Sequence, residues 1–350
     1  MKILAFETSC DDTAVAVLEI LPKNKVKVLA NIISSQVKLH AQYGGVFPSL
    51  AAREHAKNID KVFRLALKEA GLKSATEVDL MTVTAGPGLV VSLLVGVAFA
   101  KTLAWKYNKP LVGANHLEGH ILSNWLAPTK ESSAFNLKPS VFPALCLLVS
   151  GGHTELVLIK KLGTYEVIGA THDDAVGEAF DKVARLLKLG YPGGPIISKL
   201  AESGNSDRFP LPSPMIKSKN FDFSYSGLKT AVLYLVRDLP KLTAKDKADI
   251  AASFQKAAIE VLLQKTIAAA EKLKVKTILL SGGVSANKLL REDLAKRIAG
   301  SLKKVTFLKP KLAYTTDNAA MIGLAGYLNF KNKKTASSWK AVAVNANWGL

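Results

Sequence analysis

The chain writes the same supersecondary phrase twice, and that repetition limits what it can fold into more than any other feature. KILAF (residues 2–6), the polar turn ETSCDD and TAVAVLEI (13–20) read as strand, turn, strand, and KVKVLANIISS (25–35) supplies a third strand. Near residue 140 the order begins again with PALCLLVS, the turn SGGHT, ELVLIKKL and a third strand, YEVIGA. A second phrase also recurs. LMTVTAGPGLVVSLL (80–94) and TILLSGGVSANKLL (277–290) each read as a buried strand, a Gly-rich turn and a helix start. The correspondence is architectural and does not rest on residue identity. Helical spacing marks residues 49–70, 89–107, the stretch GEAFDKVARLLKL and about 246–273, with a Pro/Ser-rich loop expected around 205–226.

A plain doubly wound parallel sheet is the simpler alternative, but its strands need crossover helices, and a hairpin placed twice before the first helix argues against it. The reading is therefore an α/β fold with two lobes and an internal duplication. This is the layout of the actin-like superfamily of sugar kinases and chaperone ATPases, which clamps a nucleotide between its lobes. Residues 1–115 with a returning segment at about 310–345 are expected to form the N-terminal lobe, 116–309 the C-terminal lobe, and 331–350 a basic tail. A length of 350 residues suits two domains. No run of 18 uninterrupted apolar residues occurs, and GLVVSLLVGVAFAKTLAW, interrupted by Lys101, reads as a buried helix. The start lacks the pattern of a signal peptide. Two distant cysteines, Cys10 and Cys146, fit a reducing cytoplasm, with no membrane role expected.

The net charge of +19 favours phosphate-rich partners. Residues 301–350 carry eight lysines against one acid, Asp317. Aromatic residues make up only 7%, lean for gripping a long single strand by stacking, so folded RNA is the better match.

The chemistry begins at HLEGH, residues 116–120. Histidines four apart share one face of a helix and suit a divalent metal. A zinc peptidase needs its glutamate directly after the first histidine. Here Glu118 comes one position late and would point away from the His116/His120 face, so the peptidase reading fails at its own motif. A third ligand must come from elsewhere, and Asp317 in TTDNAAMIG is the best candidate, although an aspartate at a helix start also serves as an N-cap. LLVSGGHTEL (147–156) places adjacent glycines between two strands, where a ligand can approach the backbone or a tight hairpin can simply turn. SGGVSANK (281–288) suits a nucleotide contact, with Asn287 able to reach ribose or base. Asp181 falls on a helix, where it can accept from ribose hydroxyls or form an ordinary ion pair. Gly193 and Gly194 in YPGGP can pass under a flat ring. No Walker A sequence occurs.

Taken in order, ETSCDDT, GPGL, HLEGH, LLVSGGHTEL, DDAVGEAFDKVARLL, YPGGP, FSYSGLKT, SGGVSANKLLRE and TDNAAMI resemble the TsaD family of tRNA threonylcarbamoyl transferases, once mislabelled as glycoprotein endopeptidases. The resemblance runs from about residue 3 to residue 329. ETSCDDT with its cysteine is similar to the bacterial and mitochondrial form. The resemblance implies transfer of a threonylcarbamoyl group from threonylcarbamoyl-AMP to N6 of adenosine 37 in tRNAs reading ANN codons, with release of AMP. It implies one divalent metal ion per subunit, iron or zinc, on His116, His120 and Asp317. It implies an adenylate site on Leu148, Val149, Ser150, Gly151 and Gly152 with Asp181, Gly194 and Asn287. Its expected partners are a TsaB-like paralogue and a TsaE-like small ATPase, or a second copy of the chain. No residue stands out as a general base; Asp11, beside Asp12 in the first turn, is the candidate, with His153 near the transferred group. A catalytically silent nucleotide-binding scaffold is the alternative from another class.

Overall fold

The computed structural model describes residues 1–134, 139–332 and 338–350, and these fall into two compact units, Met1–Asn136 with Pro310–Leu350, and Leu137–Lys309. In the first unit, β1 (Lys2–Glu7), β2 (Asp12–Leu21) and β3 (Lys25–Ser35) form an antiparallel meander. The β2–β3 turn is closed by Lys23 and Asn24, both at positive φ, which matches the twist of the flanking strands. Then come α1 (Val37–Ala41), α2 (Pro48–Glu69), β4 (Leu80–Gly86), α3 (Val90–Tyr107), β5 (Leu111–Asn115), α4 (His116–Leu122) and β6 (Ser132–Ala134). β4 pairs parallel to β1 and β5 parallel to β4, so the sheet runs β5-β4-β1-β2-β3-β6. By length and composition α3 could cross a membrane. Instead Leu93, Gly96, Val97, Ala100, Leu103 and Ala104 line its buried side within the unit.

The second unit repeats the plan. β7 (Ala144–Val149), β8 (Thr154–Lys161) and β9 (Thr164–Ala170) form the meander, followed by α5 (Val176–Leu186), α6 (Gly193–Ala201), α7 (Ser226–Asp238), α8 (Ala244–Leu273), β10 (Thr277–Ser281), α9 (Lys288–Ser301) and β11 (Thr306–Leu308). β10 is parallel to both β7 and β11, giving the order β11-β10-β7-β8-β9. In both sheets the first hairpin strand sits centrally, with its meander partners on one side and parallel strands on the other. This is the duplicated α/β plan that the repeated strand–turn–strand phrase predicts. α8, capped by the reciprocal Thr243/Asp246 pair, is largely buried and forms the middle of the core of this unit.

The chain then returns to the first unit through α10 (Ala319–Lys331), which packs on the face of the first sheet and against α4. That packing moves a boundary. Residues 116–134, expected in the second lobe, lie in the first unit, because α4 continues directly from β5 and buries its whole length there. The C-terminal stretch departs from a free basic tail in a similar way. Trp339, Val342, Val344 and Trp348 pack on the first unit's core, and the Asn345 amide donates to the Ala85 carbonyl at 2.8 Å. Gly86 admits this strap, since a Cβ there would lie 1.7 Å from the Asn345 carbonyl oxygen. Apolar anchors thus outweigh the four lysines of the stretch, of which Lys333 and Lys334 lie outside the described residues. The sequence reading places no element at α1, α6, α7, β6 or β11; α1, β6 and β11 are only three to five residues long.

Candidate metal centre

α4 starts at His116, immediately after the last residue of β5. Asn115 caps it, its Oδ1 accepting from the Leu117 and Glu118 amides at 2.8 and 3.2 Å. One helical turn then stacks His116 and His120, with ring centroids 4.6 Å apart. Gly119 brings this turn close to α10, because a Cβ there would meet Ile322 and Met321 at 2.9 and 3.1 Å. Asp317 sits just ahead of α10. The N-cap of that helix is Asn318, whose side chain accepts from the Met321 amide, so the competing role for Asp317 is filled by its neighbour. Asp317 Oδ1 lies 3.4 Å from His116 Nε2 and 3.2 Å from His120 Nε2. Glu118 faces away from this group and accepts from Asn329 Nδ2 at 3.1 Å, which leaves it unsuited to the base role of a peptidase.

Beneath His116 is the first residue of ETSCDDT, to which the motif alone assigns no role. Glu7, the last residue of β1, is fully buried. Its carboxylate accepts from His116 Nδ1 at 2.9 Å, from Thr84 Oγ1 at 2.6 Å and from the Ser9 amide. A carboxylate on Nδ1 fixes the imidazole tautomer with a free lone pair on Nε2, aimed at Asp317 and His120. The available signal was the glutamate that opens ETSCDDT at a strand end, overshadowed by the two aspartates after it.

The electrostatics follow from burial and charge. Burial alone would depress His116, but the Asp317 and Glu7 carboxylates hold it well above the ordinary histidine value. Burial raises Glu7 and Asp317, and His116 overrides it and brings both below their usual range. His120 goes the other way, depressed chiefly by burial. Neither ring nitrogen of His120 has a hydrogen-bond partner, although the side chain is 1% exposed. An orphaned buried imidazole facing a carboxylate and a second imidazole, all three ligand atoms within 4.8 Å of one another, is the chemistry of a divalent-cation site. The donor set fits such an ion.

Asp11 and Asp12 occupy the turn after Glu7. Burial, then the charge of Asp317, raises Asp11. Burial pushes Asp12 further, to about 7, and its Oδ1 is buried without a hydrogen-bond partner.

The matched family model settles the kinship. The TsaD model, tRNA N6-adenosine threonylcarbamoyltransferase, covers residues 27–324. The chain belongs to the TsaD family. A relative in Thermosipho africanus named tRNA N6-adenosine threonylcarbamoyltransferase is 48% identical over 338 residues, 97% of each chain. The Bacillus subtilis protein of that name is 46% identical over 332 residues, 95% of this chain and 91% of the relative. Among solved structures, the T. kodakarensis HypF crystal structure aligns with a TM-score of 0.58 at 15% identity, over 94% of this chain and 48% of that one, which speaks to fold alone. As a TsaD-family member the chain is a transferase.

The other expected site residues lie in the second unit. Leu148 and Val149 end β7 with buried side chains and pair with β8, and Leu148 also with β10, so they shape the turn that follows. Ser150 Oγ accepts from the Gly152 and His153 amides at 3.3 and 3.0 Å and closes the hairpin turn. A Cβ on Gly151 or Gly152 would meet nothing within 4 Å, so this turn faces open space. α5 starts against it, the Gly177 amide donating to the Ser150 carbonyl at 3.2 Å. Further along α5, Asp181 accepts from the Gly193 amide at 2.7 Å, which ties it to the start of α6 beside Gly194. Asn287 caps α9 and donates to Ser198 on α6 and to Gln255 on α8, both at 2.8 Å. The helix starts of α5, α6 and α9 are thus linked in one unit, but the side chains of Asp181 and Asn287 are engaged within the protein.

Proposed function

We propose that this chain transfers a threonylcarbamoyl group from threonylcarbamoyl-AMP to N6 of adenosine 37 in tRNAs reading ANN codons. N6 attacks the carbamoyl carbon, the bond from that carbon to the phosphate oxygen breaks, AMP departs, and N6 loses a proton. The observation that carries the reading is His116, His120 and Asp317 meeting in a TsaD-family chain, with Glu7 holding His116 from behind. Those three residues would hold an iron or zinc ion, which when bound polarises a carbonyl or phosphoryl oxygen as a Lewis acid. Glu7 keeps His116 in the ligating tautomer. Asp11 and Asp12 are the proton acceptors of the first turn. Asp12 is supported beside Asp11 by its value of about 7, since a base poised near working pH is the effective one. The Leu148–Gly152 turn, with its open Gly151 and Gly152, and the α5, α6 and α9 starts receive the adenylate. Helix starts and glycine turns suit its phosphate. Asp181 holds the Gly193 turn in place, and Asn287 joins α9 to α6.

The reaction runs in the cytoplasm, a reading supported by free Cys10 and Cys146. Its protein partners are a TsaB-like paralogue and a TsaE-like small ATPase, or a second copy of the chain. Val90, Val91, Leu94 and Trp105 on α3 and Leu65 on α2 are exposed and apolar, as a docking face requires. The test is purified protein with threonylcarbamoyl-AMP and unmodified tRNA, with and without the helper proteins, read by mass spectrometry of the nucleosides. Modified adenosine with wild type and none with His116→Ala or His120→Ala supports the reading. No product under either condition defeats it in favour of a silent scaffold.

A further inference from the structure

Behind the Cys10–Asp12 turn lies a buried polar chain that the transfer reaction does not use. The Phe47 amide donates to His40 Nδ1 at 3.3 Å. That leaves His40 Nε2–H to donate to Gln36 Oε1 at 3.1 Å. Gln36 Nε2 donates to the Ala51 carbonyl at 3.3 Å and to His55 Nδ1 at 3.4 Å, where Thr13 Oγ1 also donates at 2.7 Å. His55 Nε2–H then donates to the Cys10 carbonyl at 2.9 Å. Each donor fixes the tautomer of the next ring, so the chain runs in one direction from Phe47 to Cys10. His40 and His55 are 0% exposed, and burial depresses the His55 pKa, as a neutral relay needs. A hydrogen-bonded network at this depth has one good arrangement.

The outer end of the chain is the loop 42–47. Tyr43 and Phe47 are 60% and 56% exposed, with ring centroids 6.1 Å apart and planes tilted by 39°. Gly44 turns the loop between them at φ +67°. Residues 36–53 carry exposed Lys38 and Arg53 and no acid. Two open rings in a cationic, acid-free segment match a nucleobase with its phosphate, whereas the apolar α3 face has the character of a protein contact.

We propose that Tyr43 and Phe47 stack an unpaired tRNA base, and that His40, Gln36 and His55 are positioning residues that carry the setting of this loop to the Cys10–Asp12 turn. The inference rests on the proposed tRNA acceptor. A bound base holds the 42–47 loop in this setting, which keeps the Phe47 amide on His40 and the Cys10 carbonyl on His55. Asp11 and Asp12 are then held in register with the acceptor.

The experiment measures binding of a fluorescent, unmodified anticodon stem-loop RNA, which requires no turnover, together with kcat and KM. Tyr43→Ala and Phe47→Ala should each weaken RNA binding about 5- to 100-fold, and Tyr43→Phe should stay within about two-fold. Gln36→Glu can still accept from His40 but cannot donate to His55. It should leave RNA affinity unchanged and lower kcat in a protein that still melts in one cooperative transition, at a lower temperature; Gln36→Met serves where the charge prevents folding. Wild type that fails to bind the RNA defeats both the proposed acceptor and this inference. Alanine variants that bind as wild type, or lose a protein partner instead, overturn the stacking role alone. Unchanged kcat in a folded Gln36 variant overturns the relay.

Discussion

Replacing Glu7 with glutamine should cripple the metal centre without touching a ligand. The Glu7 carboxylate receives three donors: the His116 Nδ1–H, the Thr84 hydroxyl and the Ser9 amide. A glutamine has one oxygen for them. If its NH2 replaces the oxygen shared by Thr84 and His116, Thr84 can turn its hydroxyl to accept. His116 can also accept, but only by moving its proton to Nε2, the atom that should ligate. If the NH2 faces Ser9 instead, two buried donors oppose each other, at a cost of about 1–3 kcal/mol. The ligating tautomer survives only in the second arrangement and carries its cost. Loss of such a supporting partner typically costs 10- to 100-fold in metal affinity, about 1.4–2.7 kcal/mol. Zinc or ferrous ion titrated calorimetrically into chelator-treated Glu7→Gln should show that loss, whereas Thr84→Ser, which keeps the hydroxyl, should bind as wild type. A Glu7→Gln affinity within two-fold of wild type in a folded protein would refute the reasoning.

Asp12→Asn gives a pH signature. A carboxyl near 7 in the folded protein and near its ordinary 3.8 when unfolded keeps its proton only while folded between those values. Wild-type stability from this group is therefore full below about pH 4 and falls by about 4 kcal/mol as pH rises through 7. Asp12→Asn should lack that fall, gaining on wild type in urea melts at pH 8 but not at pH 4; parallel pH curves would count against it. Neutralising Lys303, Lys304, Lys309 and Lys311, all exposed, should weaken tRNA binding and flatten its log–log salt slope by about 0.7–0.9 for each phosphate left without its lysine. An unchanged slope removes them from the RNA footprint. Leu94→Asp with Trp105→Asp should abolish the protein association carried by α3 while leaving the melting temperature within a few degrees, as light scattering and calorimetry would show; intact assembly would place the partner elsewhere.

The fold was legible where the chain repeats itself. Hairpin strands and Gly-rich helix starts carry strong local signals, and the two sheets repeat one plan as the duplicated phrase predicts. The metal triad was legible because HLEGH carries its own helical spacing, although Asp317 needed the structure to show that Asn318 takes the N-cap. Glu7 was not legible: its importance comes from β1 and α4 meeting 109 residues apart in the chain. His55 and Gln36 went unread for the same reason, each a lone polar residue on an otherwise ordinary amphipathic segment. The C-terminal stretch shows the opposite failure, where abundant lysines masked a few apolar anchors that decide its place. Two of three candidate ligands can be written in one short motif, but the third and the group that fixes a tautomer come from elsewhere in the chain. Glu7 below His116 and His55 behind Cys10 share that logic: each makes a 2.9 Å hydrogen bond that holds a group of the candidate site in one orientation.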